Sequence, residues 1–214
     1  MESILRAKAS AVFMLIFIPG FIFGIITNVG AQLDFLGSYT LAIIQIIAMM
    51  PLYFWYISIA IRLKQELSSE IQSQLNPALF FVGIILHMLV MGYLGHVLGE
   101  ILELANKMQT RSYGVSSRML KELLVLYGQM FLAIILMITA MIPVSGYLAK
   151  VIKSGQTGKL ESYNTAKLEF WMTIIHVVGI WILQPRINKI MNGEFDHQKE
   201  ERPREISDSE EVLD

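Results

Sequence analysis

The chain has 214 residues, of which 54% are apolar and 16% charged; a soluble domain carries about 25% charged residues, so the composition points to a bilayer rather than to water. It contains no cysteine, which excludes disulfides, thiolate metal sites, iron–sulfur ligation and cysteine nucleophiles. The net charge of −1 hides a division: residues 1–191 hold 14 Lys/Arg against 9 Asp/Glu, and residues 192–214 hold 3 against 9.

Five stretches lack Asp, Glu, Lys and Arg altogether: 9–33, 35–61, 78–99, 123–149 and 170–185. An apolar run of about 18 residues or more can cross a hydrocarbon core roughly 30 Å thick as one helix. The expected fold is all-α, a polytopic membrane helical bundle over 1–191 with four or five membrane helices, followed by an acidic disordered tail over 192–214. That tail carries too little apolar surface to offset its ordering entropy.

Arg6 and Lys8 precede the first run, which contains Pro19-Gly20. A secretory signal has the same layout, and Val29-Gly30-Ala31 offers a cleavage site, but the run exceeds the usual apolar region of a signal and reads as an uncleaved helix. The second run ends in Tyr53-Phe54-Trp55-Tyr56 and is followed by Arg62 and Lys64. Aromatic rings favour the headgroup level, and basic residues favour the cytoplasmic side beyond it. The helix is expected to continue over 57–75 with Ile57, Ile61, Leu67, Ile71 and Leu75 near one face, and to end at Asn76-Pro77.

The third run carries Gly92, Gly95 and Gly99, a small-residue side that lets another helix approach closely, from this chain, a second copy or a membrane partner. The link 100–122 reads as helix on both sides of a Tyr113-Gly114 turn, with Ser116-Ser117 as cap of the next helix. Gln129 and Pro143 lie in the fourth run. The link 148–168, with Gly155, Gly158 and four lysines, reads as an exposed loop. The fifth run has only 14 residues from Phe170 to Leu183 before Gln184-Pro185-Arg186, a length typical of an interfacial or re-entrant segment.

Charge bears on the number of crossings. Five crossings from a cytoplasmic N-terminus place 8 Lys/Arg inside and 9 outside; four crossings, with either the fifth or the third run failing to cross, place 13 inside and 4 outside. The positive-inside rule favours the second pattern and a cytoplasmic C-terminus.

His87, His96 and His176 lie within apolar runs, and an ionisable residue at membrane depth is a functional candidate by default. His87 and His176, near the middle of the third and fifth runs, form a pair that could hold a b-type haem; the plainer reading is interhelical hydrogen bonding. His96, Glu100 and Glu103 share a helix face but lack ligands from a second helix, so no metal site is assigned. Gln45 and Gln129 with the prolines Pro19, Pro51 and Pro143 suggest a permease or channel. No catalytic residue is assigned. G-x-S-x-G, H-E-x-x-H and phosphate-binding glycine loops are missing, and no basic, aromatic surface suggests nucleic acid.

Two stretches, Tyr53-Phe54-Trp55-Tyr56 leading through a basic segment to Asn76-Pro77, and Gln184-Pro185-Arg186-Ile187-Asn188 with Asn192, resemble parts of small uncharacterised bacterial multi-pass inner-membrane proteins. The resemblance covers about a quarter of the chain. It implies a bacterial inner membrane and a cytoplasmic C-terminus, and it carries no activity. The leading functional expectation is a non-enzymatic membrane scaffold or a regulator of a membrane partner, with the haem-binding redox protein and the small permease as alternatives.

Overall fold

The computed structural model describes residues 2–32, 37–110 and 116–194, apart from the side chains of 26–32 and 110. The described residues form helices and their connections, without strands. In chain order these are α1 (Glu2–Leu5), α2 (Ala9–Gln32), α3 (Ser38–Ser58, extended by a π-helical turn Ile59–Leu63), α4 (Ser69–Gln74), α5 (Ala78–Thr110), α6 (Ser117–Thr157), α7 (Lys167–Ile174) and α8 (His176–Met191). The predicted Tyr113-Gly114 turn and the tail beyond Glu194 lie outside the described residues.

Three helices are long and apolar enough to cross a membrane: Ser38–Leu63, Ala78–Gln109 and Ser117–Thr157. That is fewer than the four or five expected. The described side chains of α2 stop short of the required length at Ala9–Ile25. The fifth run is not one helix at all, because it breaks at Ile174–Ile175 into α7 and α8.

Each of α3, α5 and α6 lies antiparallel to its neighbour. On the α3–α5 side, Gly99 packs on Ser38, Gly95 on Ala42 and Gln45, and Gly92 on Ile46. The helix that approaches this glycine face is α3 of the same chain. On the α5–α6 side, Gly83 packs on Val144 and Pro143, and the Phe80 and Tyr147 rings lie 5.3 Å apart. Pro19, Pro51 and Pro143 sit inside continuous helices rather than ending them.

The core is concentrated at one end of the bundle. Leu5, Trp55, Tyr56, Leu63, Leu148, Ile152, Ile180 and Leu183 are fully buried there. At the far end α6 projects with little cover. The apolar window of α6 is 11% buried, against 39% for α3 and α5, an exposed apolar surface compatible with a membrane location.

Two expectations about links change. The segment 148–168 is an exposed connection only over 158–165: α6 continues to Thr157, and Leu148, Ala149, Val151 and Ile152 are buried. Gly155 is a close-approach position, seated on Ile190 of α8, and only Gly158 (φ 69) ends the helix. The helix expected over 57–75 is interrupted between the π-helical turn and α4, and the ammonium of Lys64 donates across that break to the Leu75 carbonyl at 2.6 Å. Asn76 accepts from the Ala78 amide at 2.9 Å and starts α5, while Ser116 caps α6 by accepting from the Met119 amide at 3.3 Å.

Candidate functional site

The break between α7 and α8 makes a helical hairpin. Its first leg starts at Lys167 and its second ends at Met191, and the two ends meet: Arg186 of α8 donates to Glu169 of α7 at 2.8 Å. The legs touch backbone to backbone where Gly179 faces Met172, a position where any β-carbon would collide. Both ends of the hairpin therefore open at the well-packed end of the bundle. The N-terminal segment reaches the same end, since Arg6 donates to the Asn192 side chain at 2.9 Å.

The tip points into the bundle. A broken helix leaves backbone groups without helical partners, and at depth these need other donors or acceptors. Two side chains answer this. Tyr56 of α3 donates to the Thr173 carbonyl at 3.0 Å, and Nδ1 of His176 lies 3.3 Å from the Ile174 carbonyl. The His176 ring stacks on Phe17 of α2 at 6.0 Å.

His87 is buried on α5. Its Nδ1 is 2.7 Å from the hydroxyl of Tyr53. His87 lies nine residues beyond the start of α5, or about 14 Å along the axis at 1.5 Å per residue. That is close to half of a 30 Å hydrocarbon layer. His87 is tied to α3 through Tyr53, three residues before the Tyr56 that supports the hairpin break beside His176.

The other candidates stay apart from this cluster. His96 stacks on Tyr39 at 4.9 Å and meets Glu100 at 3.4 Å, while Glu103 is taken by Lys107 at 2.6 Å. Among the described residues no group of three or more His, Cys, Asp or Glu could hold a metal ion. Gln45 packs over Gly95. Gln129 lines a cleft between α5 and α6 with Glu100, Lys121 and Glu122.

Sequence reading missed two features. The first is Gln184, fully buried on α8. Its carbonyl accepts from the Trp55 indole N–H at 2.8 Å, and its amide donates to the carbonyls of Leu5 at 2.8 Å and Ile4 at 3.1 Å. The two stretches singled out around Trp55 and Gln184 are therefore one hydrogen-bonded knot, which also fixes the N-terminal segment. The second is Glu169, 2% exposed and held by Arg186. Its place just after a lysine-rich link concealed an ion pair with a buried carboxylate; the i to i+17 spacing carries no local signal.

Comparison with protein-family models, with curated proteins and with solved structures finds no match. The functional reading therefore stands on the site alone.

Proposed function

We propose that the chain is a non-enzymatic integral membrane protein of the permease type, with four crossings (α2, α3, α5 and α6) and a re-entrant hairpin (α7–α8) whose tip residue His176 forms a protonatable site with His87 of α5. The observation that carries this reading is the broken hairpin. A passive scaffold needs only continuous helices, which satisfy their own backbone groups. Here Tyr56 and His176 are committed to supporting a break at mid-depth. Discontinuous helices meeting at the midplane are how many transporters build a binding site.

Charge supports the orientation. With a re-entrant hairpin, 13 Lys/Arg fall on the side of the N-terminal segment and 4 on the other, so the packed end faces the cytoplasm. The bacterial inner membrane is the compartment proposed. The proton is the simplest cargo a histidine pair implies. The test is proton flux into liposomes driven by a potassium diffusion potential. Wild type should exceed protein-free liposomes, and His176→Ala should abolish the excess. Wild-type flux equal to the protein-free background refutes the reading, and the scaffold or regulator of a membrane partner is then preferred.

A second reading has one observation in its favour. A ligating imidazole has its other nitrogen fixed by a hydrogen bond, and Nδ1 of both His87 and His176 is engaged in this way. The two Nε2 atoms would then hold a b-type haem, which would supply one-electron chemistry. A Soret band in protein purified from haem-replete cells, lost in His87→Ala, is the expected sign; a featureless visible spectrum removes this alternative.

A further inference from the structure

On the flank of the hairpin, where α6, α7 and α8 emerge at the packed end, lies a cleft of about 540 Å³ lined by Lys153, Gln156, Glu169, Arg186 and Lys189. Glu169 and Arg186 neutralise each other at 2.8 Å. Neither the Lys153 nor the Lys189 ammonium has a carboxylate partner among the described residues. The Gln156 amide nitrogen is buried and, among the described residues, lacks an acceptor. Among the described residues the cleft thus presents two uncompensated cations and an unused N–H donor, which suits a phosphate group.

Its position says where that phosphate comes from. Lys153 follows the end of the fourth apolar run by four residues, and Arg186 follows the end of the fifth run by one, so both sit at headgroup level if the runs are in the bilayer. Directly below, α7 shows a bare apolar stripe: Leu168 is 49% exposed, Trp171 56% and, just past its end, Ile175 50%. Their spacing of three and four puts them on one helical face, leading from the cleft to the hairpin tip. A free anion has no use for such a stripe; an acyl chain does.

We propose that this cleft binds an anionic phospholipid, with its phosphate held by Lys153 and Lys189 and an acyl chain lying along Leu168, Trp171 and Ile175. The proposal rests on the membrane reading above, but not on the histidine pair or on transport.

The test is native mass spectrometry of the detergent-solubilised full chain, offered dioleoylphosphatidylglycerol or dioleoylphosphatidylcholine. Wild type should retain the anionic lipid preferentially. Each lysine near an anionic surface is worth about fivefold in affinity, so Lys153→Gln/Lys189→Gln should lower that preference about 25-fold. Both side chains reach water, so the double variant should keep the wild-type unfolding midpoint. Lys121→Gln, at the opposite end of the bundle, should keep the preference. Trp171→Ala should weaken retention of the lipid while leaving the headgroup preference in place. Equal retention of the two lipids by wild type overturns the proposal, as does an unchanged preference in the double lysine variant. Displacement of the lipid by millimolar inorganic phosphate alone would assign the cleft to a free anion and overturn it too.

Discussion

The knot at Gln184 gives the sharpest energetic prediction. In Gln184→Leu the indole N–H of Trp55, itself fully buried, loses its 2.8 Å acceptor, and the carbonyls of Ile4 and Leu5 lose a donor. Leaving a buried polar group unsatisfied costs about 1–3 kcal/mol, and the carbonyls of Ile4 and Leu5 add to that cost. The expected destabilisation is about 2–4 kcal/mol. Trp55→Phe removes the same hydrogen bond from the other side and leaves a smaller ring, at a similar cost of about 2–4 kcal/mol. Because both changes delete one shared bond, the double variant should be less destabilised than the sum of the two by about 1 kcal/mol. Reversible unfolding in mixed micelles, followed by circular dichroism for wild type and all three variants, measures this difference. Additivity within about 0.4 kcal/mol would mean that Trp55 and Gln184 do not interact, and the knot as described would fall.

Two other predictions follow from the packing. Arg186→Gln strips the partner from a carboxylate only 2% exposed, so it should destabilise by about 3 kcal/mol, whereas Glu169→Gln/Arg186→Gln should recover most of that; a single variant as stable as wild type would show that Glu169 reaches water. The unfolding midpoint in micelles reads both. Gly95→Leu forces a side chain into the Ala42 backbone and should cost about 2 kcal/mol or more, while Gly128→Ala, which meets nothing, should be neutral or stabilising by up to about 1 kcal/mol. Equal effects at the two glycines would refute the α3–α5 contact.

Helix identity was legible in the sequence because an uncharged run and its caps are local signals. Ser116 and Asn76-Pro77 mark helix boundaries by direct hydrogen-bonding rules, and both act that way in the structure. The close approach at Gly92, Gly95 and Gly99 was also legible as a packing side, but not its partner: small residues report that a backbone comes near, not whose backbone it is. Gly155 misled for a related reason. A glycine among lysines reads as loop, yet here it admits Ile190 to the side of a continuing helix. Pro185 lies inside α8, which runs through it to Met191, with Gln184, Arg186 and Asn188 all engaged around it. The hairpin was visible only as a short run and a charge imbalance. Its break, the Tyr53–His87 hydrogen bond and the Glu169–Arg186 pair depend on tertiary contacts that no window of sequence contains.

The central claim is that α7 and α8 enter and leave the membrane on the same side, and the absence of cysteine makes it directly measurable. Single cysteines at Ser162, before α7, and Glu194, after α8, are to be compared with one at Ser117, at the start of α6, using a membrane-impermeant thiol reagent on intact cells. The account predicts that Ser117→Cys labels from outside, whereas Ser162→Cys and Glu194→Cys both label only after permeabilisation. Labelling of Ser162→Cys and Glu194→Cys from opposite sides would show that the segment crosses, and would contradict the re-entrant hairpin and the site built on its tip.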